Sequence, residues 1–289
     1  MSFRGISSLV AAENSGQTFF STWRKTPTQT TGAGIWFDLS MSPGNPVPNY
    51  YAAAPNIAIR LAQSTDGGIP HGANVGQLGY TKHIKEIMAM TTTATAVPLP
   101  MILCDYLLFY PFVDMSVTDP QPLDNTTKLS RSTTGVGVQI MAVEVAGQSG
   151  VGNPQFYVNY TNSNGVSGRT SGIVSCNTQV VNGTIISTSA ATGRSAGPFL
   201  PLQFGDTGVR SIDSVTFLTA DVGLISLVLV KPIMQMAIRD ITAPAEHVCL
   251  KEYSQLPTVE DDAYLNFICL PQGTLASAPI HGTIKTIWG

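Results

Sequence analysis

An all-β fold, a jelly-roll-like antiparallel β-sandwich, is predicted for this 289-residue chain by three observations. Apolar and polar residues alternate over many short segments, the period of a strand with one face in a core. Gly (27 residues) and Pro (19 residues) recur at short intervals, where they end strands and build turns. No long segments of helical spacing come between the strands, which disfavours an α/β arrangement. The length suits one large sandwich and is enough to bury a core without staples.

Residues 1–34 are rich in Ser, Thr, Gly and Gln, with Phe19, Phe20 and Trp23 embedded. They read either as an N-terminal arm that tethers a neighbour through its rings or as a surface strand of the same domain. The division adopted is an extended arm over 1–34 and a sandwich body with Pro-rich loops over 35–289. IWFDL (35–39) reads as a short strand. MSPGNPVPNYYAAAP follows, where Pro43, Pro46, Pro48 and Pro55 each remove a backbone donor and fix φ, so it is loop or extended chain. With Tyr50 and Tyr51 it is a second candidate clamping element.

NIAIRLAQ (56–63) alternates as a strand, and Asp66-Gly67-Gly68 marks a turn. Residues 78–90 (LGYTKHIKEIMAM) fit both periods and are read as a strand. LPMILCDYLLFYPFV (99–113) is too apolar to face water on either side, and its aromatic and branched residues favour a buried strand. VGVQIMAVEVAG (136–147) and QFYVNYTN (155–162) alternate plainly. Asn164-Gly165 is expected to form a type I′ hairpin turn, in which both central residues need φ > 0. QVVNGTII (179–186) carries a second Asn-Gly, and GPFLPLQFG (197–205) reads as extended. RSIDSVTFLT and GLISLVLVKPI supply two more strands, the second expected to stop at Pro232. ICLP near 268–271 and TIKTIW at 283–288 close the series.

Charged residues are 11% of the chain against 43% apolar, where soluble proteins average about 25% charged. Disorder does not explain the deficit, because disordered chains are poor in apolar residues. Charge is depleted at the centre of protein–protein contacts, so the composition points to an assembly subunit. The net charge is −3, and Arg24-Lys25 is the densest basic spot. Tracking of phosphates needs clustered cations, so direct nucleic-acid binding is not expected. Nor is a membrane span: VGLISLVLV (222–230) is far shorter than the roughly 20 residues one needs. The N-terminal stretch lacks the apolar run of a signal peptide, and synthesis in the cytoplasm is expected.

The catalytic and metal-binding patterns sought are weak. Cys104, Cys176, Cys249 and Cys269 lie far apart in apolar runs and read as buried small side chains. His71, His83, His247 and His281 form no metal-ligand spacing. Gly193-Arg194-Ser195-Ala196-Gly197 matches G-x-S-x-G, but Pro198 and Pro201 oppose the helix that a nucleophile elbow requires. Glu260-Asp261-Asp262 reads as an exposed acidic turn, with a hard cation such as calcium as the other reading. No catalytic residue, cofactor or metal is assigned, and the chain is expected not to be an enzyme.

Two segments, KEIMAMTTTATAVPLPMILCDYLLFYPFVD (85–114) and SIDSVTFLTADVGLISLVLVKPI (211–233), resemble stretches of virion structural proteins of tailed bacteriophages. The resemblance implies a capsid decoration or cement role, often as a homotrimer with β-sandwich bodies, with tail, baseplate or vertex roles as the alternative. The implied partners are the major capsid protein, other virion proteins and copies of the chain itself, and the implied location is the virion. No family residue role is carried over. The interface candidates are Phe19, Phe20, Trp23, Tyr50 and Tyr51.

Overall fold

The computed structural model describes residues 3–190 and 197–289. Ten principal strands build three sheets: β1 (Thr18–Lys25), β2 (Lys82–Thr91), β3 (Leu99–Asp114), β4 (Gln139–Ala146), β5 (Gln155–Asn162), β6 (Val209–Phe217), β7 (Leu224–Ile238), β8 (Ala245–Val248), β9 (Tyr264–Cys269) and β10 (Ile280–Trp288). Every ladder among them is antiparallel. The first sheet runs β8–β2–β10–β1. The central sheet runs β9–β3–β7–β4, and the third is built on β5–β6. Short pieces extend them, among them Gly44–Asn45 beside β1, Phe37–Asp38 beside β9 and Gln121–Pro122 beside β6. The all-β antiparallel sandwich expected from the alternation is the fold observed.

The long pair β3 and β7 organises the packing. Leu99, Met101 and Leu103 of β3 join a core with Ile84, Ile87 and Ile284 of the first sheet. Leu108 and Tyr110 join a second core with Phe156, Val158, Ile212 and Val215 of the third sheet. The parity changes from odd to even because the register slips at Leu107: Leu229 pairs with Leu108, and the next residue, Val230, with Tyr106. One extra residue flips the alternation of a strand. The two cores therefore lie end to end along one face of the central sheet. Cys104, Tyr106 and Phe109 point to the other face, where Met41, Tyr51 and Leu61 cover them.

An ionic cluster, buried at Asp105 and Arg131 and partly exposed at Lys231 and Glu260, marks the boundary between the two cores, where Lys231 is the cross-strand partner of Asp105. Arg131 donates to Asp105 from Nε (3.0 Å) and Nη2 (2.8 Å), and to the Leu61 and Tyr106 carbonyls. Tyr264 N–H adds a third bond to the Asp105 carboxylate. Even so, burial pushes Asp105 up to about 6. Lys231 Nζ donates to Glu260 at 3.3 Å, and Ser132 donates to the same carboxylate from N–H and Oγ.

Several local expectations are corrected. The segment expected as an extended arm folds onto its own domain. It forms helix α1 (Ile6–Asn14), whose Leu9 and Ala12 pack on Ile287, and then β1, paired along its whole length with β10. Glu13 of α1 accepts from Lys285 and Lys85, which hold its carboxyl down at about 2. Pro232 does not end β7; the strand continues to Ile238 with a further register slip at Ile233. The β4 ladder stops at Val230, so the proline's missing donor falls where β7 has no neighbour on that side. Asn164-Gly165 is not a type I′ turn, because Gly165 (φ 79°) has positive φ and Asn164 does not. Gly165 N–H donates to the Asn162 carbonyl and Asn162 N–H to that of Val166, which is the three-residue loop of a type I turn closed by a left-handed glycine.

Candidate interaction surface

The polar clusters inside the molecule are closed to any substrate. Asp38 is fully buried and accepts from Tyr51 Oη (2.5 Å), Tyr106 Oη (2.7 Å), Ser40 Oγ (2.7 Å) and Ser40 N–H (2.8 Å). Burial pushes its carboxyl up. The buried Lys25 ammonium donates to the carbonyls of Pro46, Ser42 and Ser40, and burial brings it down to about 8. His71 sits between the Ala263 carbonyl and Lys82 Nζ, each at 3.0 Å, and burial brings it down to about 4. These groups tie loops 36–51 and 71–76 to the sheets.

The residues of the acidic run diverge. Glu260 goes to Ser132 and Lys231, Asp261 to the N–H groups of Val75 and Gly76, and Asp262 to Ser64. Among the described residues no three His, Cys, Asp or Glu side chains are grouped to hold a metal. All four cysteines are buried and free. The G-x-S-x-G serine, Ser195, lies outside the described residues.

A different feature stands out on the surface. At one end of the third sheet the loops 132–137, 163–168 and 203–208 are knitted into a platform. Arg210 at the start of β6 donates to the Thr134 carbonyl (3.1 Å) and twice to the Ser163 carbonyl (3.1 and 2.7 Å). Ser163 N–H donates to the Gly208 carbonyl and Gly137 N–H to that of Thr207. The backbones approach so closely that a Cβ on Gly208 would lie 2.0 Å from the Gly135 oxygen, which explains glycine there. Asp206 anchors the third loop, accepting from Tyr160 Oη (2.6 Å), Asn162 Nδ2 (2.7 Å) and Arg169 Nε (2.9 Å). The Arg169 bond is the main reason its carboxyl is held down at about 2. Tyr160 Oη in turn accepts from Gln203 N–H, and Asp206 N–H closes the turn on the Gln203 carbonyl.

The tip of that braced turn is Phe204, whose side chain is fully exposed. Val136 and Val166, also exposed, belong to the other two loops. A rigidly held, desolvation-ready aromatic is the residue type that anchors protein interfaces. Sequence reasoning missed Phe204, because Tyr160 and Arg169, which brace its turn through Asp206, lie 46 and 37 positions from that aspartate in the sequence. The Asn164-Gly165 turn was legible in the sequence, and it is part of this platform.

The five interface candidates separate. Trp23 is 2% exposed, stacks on Phe267 at 4.7 Å and lies over Gly282, where a Cβ would come within 2.4 Å of the indole. Tyr51 is fully buried on Asp38. Both rings serve the chain's own core and are withdrawn as contact residues. Phe20 (62% exposed), Tyr50 (55%) and Phe19 (37%) remain on the surface. A groove of about 840 Å³ also opens between the ends of β3 and β7 and strand β8, with Met101, Met236 and Pro100 beside Arg239, His247 and Tyr253. The His247 ring there pairs with Glu252. Among the described residues, no Ser, Thr or Cys side chain bonds to a histidine ring.

No family model and no curated protein matches the chain. Among solved structures, the comparison returns the crystal structure of the infectious bursal disease virus VP2 subviral particle. It has 8% sequence identity and a TM-score of 0.15, over 93% of this chain and 80% of that chain. A likeness this weak carries no argument about fold or function.

Proposed function

We propose that this chain is a non-enzymatic structural subunit of a tailed-bacteriophage virion, a decoration or cement protein that binds the assembled capsid. The observation that carries the reading is Phe204, a fully exposed ring on a turn braced by Asp206, Tyr160 and Arg169. The low charge of the chain and the phage-like segments 85–114 and 211–233 support it. A protein that binds only the assembled shell stabilises it by mass action, and cyclic self-association, with a trimer favoured, would suit three-fold positions.

The test is a capsid-binding assay with Phe204→Ser. The variant should keep the wild-type melting temperature, since the ring buries nothing in the monomer, and should lose capsid binding or self-association at least tenfold. Unchanged binding by a folded variant would remove the platform from the reading. A second reading, recognition of the host surface from a tail, baseplate or vertex, draws on the same platform, because its exposed tip 164–168, with Asn164, Gly165, Ser167 and Gly168, suits adaptable recognition. Copy number separates the two: hundreds per particle mean shell, and a few to a few dozen mean tail or vertex.

A further inference from the structure

A second cavity lies far in sequence from the Phe204 platform, between α1 and the segment 249–256. It is half-open, has a volume of about 290 Å³ and is lined by Phe3, Ile6, Leu9, Leu250 and Leu256, with Tyr253, Ser254 and Gln255 also on the 249–256 side and His83 in its wall. His83 belongs to β2 and is 2% exposed. Its Nδ1 lies 3.2 Å from the Leu256 carbonyl. A carbonyl only accepts, so Nδ1 carries the proton, and in the neutral ring Nε2 is left as a lone-pair acceptor. Burial lowers the pKa of His83, which keeps the ring neutral. Nε2 has no hydrogen-bond partner among the described residues and is shielded from water. The Phe3 ring leans on the imidazole at 5.6 Å.

An unpartnered buried acceptor is costly, and buried polar groups in native proteins nearly always find a partner. The cavity is large enough for a substituted ring or a short chain, since an apolar cavity about half this size accepts benzene. We infer that this cavity is a binding site for a small apolar molecule carrying a single hydrogen-bond donor, such as a phenol, whose apolar body displaces the Phe3 ring and whose O–H donates to His83 Nε2. The inference is independent of the assembly role, because it uses neither Phe204 nor any residue of the platform.

The experiment titrates the full chain with two probes of the same shape, 4-ethylphenol and 4-ethylanisole, by calorimetry. Only the phenol can donate. It should bind about tenfold more tightly, the worth of one hydrogen bond. His83→Leu should abolish that preference while leaving weak binding of both. Leu250→Trp, placed on an exposed rim residue, should fill the cavity and block both probes without unfolding the chain. Phe3→Ala should strengthen phenol binding several-fold by removing the ring that must move. Equal affinities for the two probes, no binding of either up to their solubility limit, or a preference that survives in His83→Leu would each overturn the inference.

Discussion

Single residues carry opposite pH responses in this chain. Glu144 is fully buried, and burial pushes its carboxyl up to about 7 although Gln148 donates to it from N–H and Nε2. A folded pKa above the unfolded value, about 4.3 for Glu, means that folding favours the protonated acid. Glu144 therefore favours the fold below about pH 4.5, and that stability is lost as pH rises to about 7, a change of up to about 3 kcal/mol. Asp105, raised to about 6, acts in the same sense. His71 acts oppositely: its folded pKa is lowered to about 4, so its contribution falls as pH drops from about 6.5. Urea unfolding of wild type and Glu144→Gln from pH 4 to 8 should give a difference curve that changes only between about 4.5 and 7; a flat difference would remove this assignment. Asp38 offers a second test. Asp38→Ala strands the Tyr51 and Tyr106 hydroxyls in a dry core and should cost about 3 kcal/mol, read from the urea midpoint. Asp38→Asn, which keeps one carbonyl acceptor, should cost less.

At the scale of elements, strands were legible where alternation was sustained. Segment 155–162 buries every second residue, and its sequence shows it. Segment 139–146 buries Ile140 to Glu144 in a row and 209–217 is broken by two register slips, yet both carry enough branched apolar residues to read as strands. The buried strand β3 was legible from its apolar length. α1 was not: in ISSLVAAEN only Leu9 and Ala12 are buried, so the helix has almost no stripe to read. Trp23 and Tyr51 were misjudged for a related reason. Their neighbours are polar or Pro-rich, and what buries them, Phe267 and Asp38, is brought in by pairing that no local window contains. Of the candidate surface, the Asn164-Gly165 turn was legible and the Phe204 turn was not, because its bracing through Asp206 by Tyr160 and Arg169 is long-range. Gly282 in β10 shows how tightly one element can constrain another. A Cβ there would lie 2.4 Å from both the Met88 oxygen and the Trp23 indole. Gly282→Ala should therefore destabilise by about 3 kcal/mol, at the upper end for overpacking, with a change in tryptophan fluorescence. A neutral Gly282→Ala would mean that the indole moves freely.

For the whole molecule, the two cores share β3 and β7 as a common floor, so they should melt together. Arg131 sits at their boundary, bonded to Asp105 and to the Leu61 and Tyr106 carbonyls. Arg131→Ala leaves a buried carboxylate without its cation and should cost about 3–5 kcal/mol. Calorimetry should still show one transition for that variant, shifted down; two resolved transitions would mean that the cores are independent units.

The pairing of β1 with β10 also sets a clock on synthesis. Ser21 hydrogen-bonds to the Ile284 carbonyl, 263 residues away. At roughly 5–20 residues per second, a ribosome takes roughly 15–50 s to make that interval. Throughout it β1 lacks its main sheet neighbour, with Phe19, Phe20 and Trp23 uncovered on a nascent strand. Until β10 arrives, that strand is an open edge of the kind that templates aggregation, so chaperone binding to the growing chain should concentrate on residues 18–25.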